Sequence, residues 1–211
     1  MRIVFLGLPG SGKGTQARLL CQELSLPFIG MGDLLRAEVA QDTPLGRHLK
    51  PILDEGSFPS DELVVDIFLS HLLKEPGFIA EGIPRSDVQA RLLDDAFAKH
   101  SVGLDFLFYL KLDPDEAKTR LLSRIVCLDC GVTYGPKDGE KTVCDACGSL
   151  HLGQRRDDVE EVIAKRLYLQ QAKDKSVLAF YEGRPFVHEI DANLSEKEVL
   201  LKILECTRNA Q

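Results

Sequence analysis

A glycine-rich segment near the start of the chain has the residue types that bind a phosphate chain. Residues 7–15 read GLPGSGKGT, directly after a short apolar run and before a helical pattern. Alternate glycines let the backbone approach a phosphate closely and present N–H donors, and the following helix adds its N-terminus. Lys13 adds a mobile cation, although Gly14 rather than Thr15 directly follows it. We predict a nucleotide-phosphate site; a turn that binds no ligand is the alternative.

Four of the six cysteines form two C-x-x-C pairs in a glycine-rich stretch. The pairs are Cys127 with Cys130 and Cys144 with Cys147, with thirteen residues between them. In an intracellular chain this spacing favours a metal over disulfides. Four thiolates complete a tetrahedral structural zinc site and leave no position open for catalysis, so His151 is a weak candidate for a ligand. Reduced thiols without a metal are the alternative.

Two shorter segments place charged residues beside predicted strands. In the first, Asp33 and Arg36 follow a glycine; on their own they are expected to be a helix N-cap and a solvated helix residue. In the second, Glu81 begins the sequence EGIPR after a strand, with Gln89 one helical turn beyond Arg85. Ligands of open parallel sheets bind where strands end. Arg85 is therefore a candidate phosphate ligand, with a surface ion pair as the alternative.

Several arginines flank the glycine-rich stretch at residues 123–157. Two of them are four residues apart and can face one side of a helix. In an acidic protein such a group suggests a clamp on phosphates, and the alternative is solvated charges paired with nearby carboxylates. Asp157 and Asp158 precede a helical pattern and are expected to cap it. The arginines are Arg120, Arg124, Arg155, Arg156 and Arg166.

Strand and helix patterns alternate along the chain and predict the element order that positions these residues. The pattern indicates an α/β fold, a five-stranded parallel sheet with helices on both faces and a small inserted lobe at 123–157. Ser195 and Glu198 form a capping box at the start of the last helix. The predicted strands are Arg2–Leu6, Pro27–Ile29, Gly77–Ala80, Phe106–Leu110 and Phe186–Ile190.

Composition narrows the class of protein. The chain has 211 residues, 44% of them hydrophobic, and a net charge of −7, which indicates one globular domain and argues against a general basic face for nucleic acid. Its longest apolar runs fall far short of the roughly 20 residues of a membrane span, and the N-terminal apolar run is too short for the core of a signal peptide. We expect a cytoplasmic monomer that binds neither nucleic acid nor membrane, with Cys21 and Cys206 as buried free thiols.

Together the motifs resemble the long-lid adenylate kinases of the nucleoside monophosphate kinase family. The matching segments are GLPGSGKGTQ, GDLLRAEV, GIPR with Gln89, the paired C-x-x-C lobe, QRRDD and Arg166, in family order over nearly the whole chain. The resemblance implies a P-loop kinase domain over 1–211, with a nucleoside-monophosphate-binding insertion at 30–60 and a zinc-binding lid at 123–157. It also implies reversible transfer of a phosphoryl group from ATP to AMP, giving two ADP, with Mg²⁺.

The resemblance assigns roles to individual positions. Those implied in catalysis are Lys13, Arg85, Arg124, Arg155 and Arg166. Those implied in ATP binding are Gly10, Ser11, Gly12, Lys13, Gly14, Thr15, Arg120, Arg124, Thr133 and Tyr134. Those implied in AMP binding are Met31, Arg36, Ser57, Phe58, Pro59, Gly82, Ile83, Pro84, Arg85, Gln89, Arg155 and Arg166.

The sequence departs from the family pattern at a few positions. Met31 stands where the family commonly has a threonine that contacts AMP, Glu81 where it usually has an aspartate near the magnesium waters, and Ile125 where many members have a second arginine. The cysteine pairs are also closer together than in other zinc-bearing lids. A kinase for UMP, CMP or GMP and a non-catalytic P-loop switch with a zinc ribbon are the rival interpretations.

Overall fold

The computed structural model describes residues 1–55, 57–72, 77–135, 138–155 and 158–208. Its strands are β1 (Arg2–Gly7), β2 (Phe28–Gly30), β3 (Phe78–Glu81), β4 (Phe106–Lys111), β5 (Ile125–Cys127), β6 (Thr133–Tyr134), β7 (Leu152–Gly153) and β8 (Val187–Asp191). Its helices are α1 (Lys13–Leu24), α2 (Met31–Ala40), α3 (Pro44–Asp54), α4 (Asp61–Leu72), α5 (Asp87–Lys99), α6 (Pro114–Leu122), α7 (Glu160–Phe180) and α8 (Glu196–Arg208).

Five parallel strands form the central sheet, in the order β2-β3-β1-β4-β8. The prediction of a five-stranded parallel sheet is confirmed, and no strand end is shifted by more than one residue. Parallel strands are buried on both faces, so they are rich in apolar residues. In β1, Val4 and Leu6 pack in the cluster that includes α4, α5 and α7, whereas Ile3 and Phe5 pack in the cluster of α1, α6 and α8. Alternate side chains of one strand therefore anchor helices on opposite faces.

Local signals set the ends of several elements. The predicted capping box is confirmed: the Ser195 N–H donates to Glu198 Oε2 (2.9 Å), and the Glu198 N–H donates to Ser195 Oγ (3.4 Å). Asp113 caps α6, since its Oδ1 accepts from the N–H groups of Asp115 and Glu116. These bonds use helix N–H groups that have no partner within the helix. Among the described residues, no helix has the length and apolar character needed to cross a membrane.

A small lobe lies between α6 and α7. It contains the three-stranded antiparallel sheet β6-β5-β7 and the four paired cysteines. The apolar cluster of this lobe is small: among the described residues, its buried members are Cys127, Tyr134 and Cys144. Within the segment 30–60, the chain forms α2 and α3 after the edge strand β2. The boundaries of both insertions stay predictions.

Candidate functional site

The glycine-rich segment forms a tight loop between β1 and α1. Gly7, Gly10 and Gly12 have φ angles of +134°, +85° and +87°, which L side chains rarely adopt. A Cβ on Gly7 would lie 2.5 Å from the carbonyl oxygen of Leu110, and one on Gly10 would lie 2.9 Å from that of Ala117. The glycines thus let the loop lie against β4 and α6 while its backbone follows a path suited to a phosphate chain.

Lys13, the first residue of α1, is folded back over this loop. Its ammonium group donates to the carbonyl oxygens of Gly7 (2.7 Å) and Leu8 (2.8 Å). Burial lowers the pKa of Lys13 to about 8, and the negative charges of Glu81 and Asp174 oppose that shift. Phosphate oxygens offer the same ammonium group stronger, charge-assisted hydrogen bonds than the loop carbonyls do.

The loop forms the floor of a cleft of about 640 Å³ at the carboxyl ends of the parallel strands. This edge is where open α/β sheets bind ligands. Seven cations from different elements and loops line the cleft, in addition to Thr133 and Tyr134 of the small lobe. The cations are Lys13, Arg36, Arg85, Arg120, Arg124, Arg155 and Arg166. In the described part of the chain, sequence-predicted phosphate ligands that lie far apart in sequence are therefore brought to one cavity.

Two of the arginines converge on one buried carboxylate. Arg124 Nε donates to Asp158 Oδ2 (2.8 Å), its Nη2 donates to Oδ1, and Arg166 Nη1 lies 3.4 Å from the same Oδ1. The Asp158 side chain is fully buried. The prediction that Asp158 caps the following helix is wrong, because α7 has Val159 at its N-cap and no side-chain cap bond. Arg156 and Asp157 lie outside the described residues.

The arginine at the end of α6 has a different environment. Arg120 Nε donates to Glu116 Oε1 (2.7 Å), and its Nη1 donates to the carbonyl oxygen of Ala192 (3.1 Å). Because α6 ends at Leu122, Arg124 lies beyond the helix, and the prediction that these two arginines share a helix face is wrong. Both nevertheless line the cleft.

Asp33 forms a charged cluster with Arg18 and Arg36 near the start of α2. Asp33 is the third residue of α2, and the N-cap position is Gly30, so the predicted N-cap is wrong. The Asp33 carboxylate instead accepts from Arg36 (2.7 Å) and Arg18 (2.9 Å). These bonds hold Arg36, a half-exposed side chain, at the edge of the cleft. Arg36 is thus an oriented cation rather than a freely solvated one.

The loop after β3 is held by buried polar groups. The Arg85 N–H donates to Gln89 Oε1 (2.7 Å), and Gln89 Nε2 donates to Asp61 Oδ1 (2.8 Å). Ser86 Oγ donates to the other oxygen of Asp61 (2.8 Å). Gln89 is only 2% exposed, so in this structure its amide shapes the loop that carries Arg85 instead of facing the cleft. Burial lowers the pKa of the Arg85 guanidinium.

The other residues expected around AMP lie at differing depths. Met31 and Ile83 are buried in the core beneath the cleft, and Pro84 is buried beside them. Gly82 lies on the cleft surface. Phe58 stacks against the Arg85 guanidinium, at 5.0 Å from its ring centre. The loop positions of Ser57 and Pro59 flank that ring, and Ser57 Oγ accepts from Lys165 (3.1 Å).

Two polar residues of α7 are missed by sequence reasoning. Gln170 lines the cleft, and Asp174 is buried behind it. Both lie on the buried stripe of α7, in the 3–4 spacing that links Leu167 to Val177. The signal that could have identified them is their position on an otherwise apolar stripe. Burying a polar group there costs free energy, so a polar residue at such a position indicates a specific partner or role.

The four paired cysteines form a compact cluster. Their sulfur atoms lie within 4.8 Å of one another; the Cys127 and Cys147 sulfurs are 3.6 Å apart, and those of Cys130 and Cys144 are 3.5 Å apart. A disulfide would need about 2.05 Å, whereas sulfurs about 3.8 Å apart surround a tetrahedral zinc at about 2.3 Å. The cluster therefore fits a zinc-type metal.

Neighbouring residues support this cluster. Tyr134 Oη donates to the Cys144 sulfur (3.2 Å) and accepts from the Asp145 N–H (2.8 Å), and the bond to sulfur lowers the pKa of the Cys144 thiol. His151 is exposed and pairs with Asp129 at 3.2 Å.

The two remaining thiols lie against the core. Cys21 and Cys206 are partly rather than fully buried, which corrects the expectation of buried thiols. Burial raises the pKa of Cys21 to about 11 and raises that of Cys206. Both are therefore protonated and poorly nucleophilic at neutral pH.

A glycine loop between a central parallel strand and a helix, a lysine folded over that loop and converging arginines define a P-loop nucleotide-binding protein. The family model described as Adenylate kinase matches residues 5–185. The chain is 35% identical to the adenylate kinase of Geobacillus sp., with 97% of each chain covered. It is 38% identical to that of Acidothermus cellulolyticus, with 99% of each chain covered.

The chain therefore belongs to the adenylate kinase family. This confirms the predicted family and fold, as well as the prediction of a nucleotide-binding transferase.

Proposed function

We propose that this protein transfers the γ-phosphoryl group of ATP to AMP, reversibly, to give two ADP. The observation that carries the proposal is the single cleft in which the glycine loop with Lys13 is opposed by Arg36 and Arg85 and bordered by the arginines of the lid. Phosphoryl transfer between two nucleotides needs this arrangement, because donor and acceptor phosphates must meet in line while cations neutralise their charge.

The sheet order supports a division of the cleft into two subsites. β1, which leads into the glycine loop, lies between β3 and β4. We assign AMP to the β2–β3 side, where Arg36 and Arg85 lie, and the ATP base and ribose to the β4–β8 side, near Arg120 and the lid residue Thr133. The phosphates of both nucleotides then meet above the glycine loop, at the end of β1.

No side chain has to act as a base in this reaction. The attacking atom is a phosphate oxygen of the acceptor, which is already anionic at neutral pH. Lys13, Arg85 and the lid arginines orient the phosphates and neutralise the transferring group. The protein also has to exclude water, because ATP hydrolysis would otherwise compete.

A divalent cation fits beside the glycine loop. A Glu81 carboxylate oxygen lies 3.9 Å from where a Cβ on Gly14 would be, and Glu81 and Thr15 both line the cleft. Carboxylate and hydroxyl oxygens are the hard ligands that Mg²⁺ prefers, directly or through water. When bound, Mg²⁺ would supply charge neutralisation at the donor phosphates, and Glu81 is the residue we assign to hold it.

We assign Arg124 and Arg155 to a clamp that reaches the phosphates when the lid closes. In this structure Arg124 is bonded to Asp158, so closure would exchange or share that partner with phosphate oxygens. Arg124→Ala is expected to lower kcat/KM by about a hundredfold, a magnitude typical of losing one preorganised donor to transition-state charge. An unchanged kcat/KM would show that the clamp role is wrong.

The zinc-type site would hold the lid together and take no part in chemistry. Four thiolates fill a tetrahedral coordination sphere, and the apolar core of the lid is too small to order the lobe alone.

The proposed reaction is tested by its stoichiometry. Purified protein with ATP, AMP and Mg²⁺ should form two ADP for each AMP consumed, quantified by ion-exchange chromatography, and should form ATP and AMP when given ADP alone. Release of inorganic phosphate in place of the second ADP would contradict the proposal.

A further inference from the structure

A carboxylate at the start of α4 is bonded to the loop that carries Arg85. Asp61 is the first residue of α4, and it is absent from the described lining of the cleft. Its Oδ2 accepts from Ser86 Oγ (2.8 Å), 25 residues further along the chain, and its Oδ1 accepts from Gln89 Nε2 (2.8 Å), 28 residues further along. One side chain of α4 therefore bonds both polar side chains at the junction of this loop with α5.

The amide of Gln89 connects Asp61 to the backbone of Arg85. Gln89 Oε1 accepts from the Arg85 N–H (2.7 Å), and the side chain is 2% exposed. An ionised carboxylate only accepts hydrogen bonds and a backbone N–H only donates them. These two partners therefore determine which way the amide faces, with its nitrogen toward Asp61 and its oxygen toward Arg85.

Ser86 gives Asp61 a second connection to the same loop. Ser86 is the N-cap of α5, and its Oγ accepts from the Gln89 N–H (3.1 Å) while donating to Asp61. The residue is 8% exposed, so water replaces a lost partner poorly, and an unpaired buried polar group costs free energy. The end of the loop and the first turn of α5 are therefore fixed relative to Asp61.

The position of the Arg85 guanidinium depends on the shape of this loop. Its carbon lies 5.0 Å from the ring centre of Phe58, and its Nη2 lies 3.0 Å from where a Cβ on Gly82 would be. The guanidinium is therefore packed against an aromatic ring and against the backbone of its own loop. A shift of the loop moves the cation that we assign to the AMP phosphate.

We propose that Asp61 is a positioning residue for the phosphoryl acceptor: through Gln89 and Ser86 it holds the loop that directs Arg85 into the cleft. The inference rests on the proposed function, because that function assigns AMP to the side of the cleft where Arg85 lies. Loss of the carboxylate should weaken the binding of AMP. The binding of ATP should change little, since its phosphates are assigned to the glycine loop.

The test measures the Kd of AMP and the Kd of ATP separately, by calorimetry. Asp61→Ala should raise the Kd of AMP about tenfold and leave that of ATP within about twofold of wild type, because a misplaced binding group weakens only the ligand that it contacts. An unchanged Kd for AMP, or equal losses for both nucleotides, would overturn the proposal.

Asp61→Asn separates the hydrogen bonds from the charge. Its amide oxygen can still accept from Gln89, and its amide nitrogen can donate to Ser86 Oγ. We expect both Kd values to stay within about threefold of wild type. A loss of AMP affinity as large as that of Asp61→Ala would assign the effect to the charge and overturn the proposal.

Glu62→Ala is the matched control. Glu62 places the same charge in the first turn of α4, but it is exposed. Its removal tests whether the helix start alone matters, and both Kd values should stay at those of wild type. A selective loss of AMP affinity in this variant, equal to that of Asp61→Ala, would overturn the proposal.

A double substitution tests the connection through Gln89. Residues that act through one another have non-additive effects. In a Gln89→Ala background, Asp61→Ala should therefore raise the Kd of AMP much less than it does in wild type, and an undiminished effect would overturn the proposal. If Asp61→Ala does not fold, Asp61→Ser takes its place, because serine is polar but one atom too short to keep both bonds, and the same outcomes decide.

The failure of this inference differs from the failure of the proposed function. A wild-type protein that binds AMP but forms no ADP would refute the proposed function and leave the binding test valid. Normal transfer by wild type, together with unchanged AMP affinity in Asp61→Ala, would refute the role of Asp61 alone.

Discussion

Arg124 and Asp158 join the two ends of the lid through two hydrogen bonds. Arg124 follows α6 at the start of the lobe, and Asp158 precedes α7 at its end, 34 residues later. The aspartate side chain is fully buried and that of Arg124 is 12% exposed, so solvent screens this ion pair poorly. The pair therefore joins the two ends of the lobe and also places Arg124, which we assign to the phosphates, at the cleft.

Asp158→Asn should destabilise the protein. The substitution removes the buried negative charge to which Arg124 and Arg166 are both bonded, which typically costs about 3 kcal/mol of the free energy of unfolding. Asp54→Asn is the control, since Asp54 pairs with Lys50 on the exposed surface of α3 and should cost less than about 0.5 kcal/mol. Urea denaturation measures both, and equal losses would show that the lid pair is energetically an ordinary surface contact.

Lys13→Met should abolish most transfer without unfolding the protein. The side chain keeps a similar length but loses the ammonium group that we assign to the donor phosphates, so we expect kcat to fall by about a hundredfold or more. The thermal unfolding midpoint should stay close to that of wild type, because the hydrogen bonds that the ammonium group makes within the described part of the chain go to loop carbonyls. Activity within a few-fold of wild type would remove Lys13 from the mechanism.

Activity should fall in the alkaline range because of the same residue. The pKa of Lys13 is about 8, below its usual value, so the cation is present at neutral pH and is lost as the pH rises through about 8. Well above that value, kcat/KM for ATP should fall about tenfold per pH unit. Lys13→Arg keeps its charge over this range, so its residual activity should lack this decline; an identical decline would assign the titration to another group.

Removal of the metal that we assign to the four cysteines should lower the stability of the fold more than the activity. Incubation with a zinc chelator is expected to lower the thermal unfolding midpoint, while much of the activity assayed in the cold survives. Adding zinc back should restore the midpoint. A complete and immediate loss of activity at low temperature, with no change in unfolding, would instead indicate a catalytic metal.

The parts of the fold that depend on neighbouring residues were predictable from the sequence. Loop conformation, strand burial and metal-ligand spacing are local properties. The glycine loop, the strands and the C-x-x-C pairs could therefore each be identified from one contiguous stretch of sequence. Their order along the chain was enough to indicate the parallel sheet, and hence the edge at which the cations meet.

The partners of the charged residues could not be predicted in this way. Asp158 is near a helix start, as a cap would be, but pairs with an arginine 34 positions away. Asp33 similarly bonds Arg18 of α1. The side-chain oxygen of Gln89 accepts a hydrogen bond from the backbone of its own loop. Such choices depend on which charges the tertiary fold brings together, since a carboxylate bonds whichever donors surround it.

The most direct test of the account is a panel of acceptors offered separately to the protein with ATP and Mg²⁺. With AMP, CMP, UMP and GMP at equal concentrations, we expect kcat/KM to be highest for AMP and two ADP to form per AMP consumed. A preference for CMP, UMP or GMP would contradict the proposal that AMP is the phosphoryl acceptor. Turnover with none of them, despite ATP binding, would contradict the proposal that this cleft transfers phosphoryl groups at all.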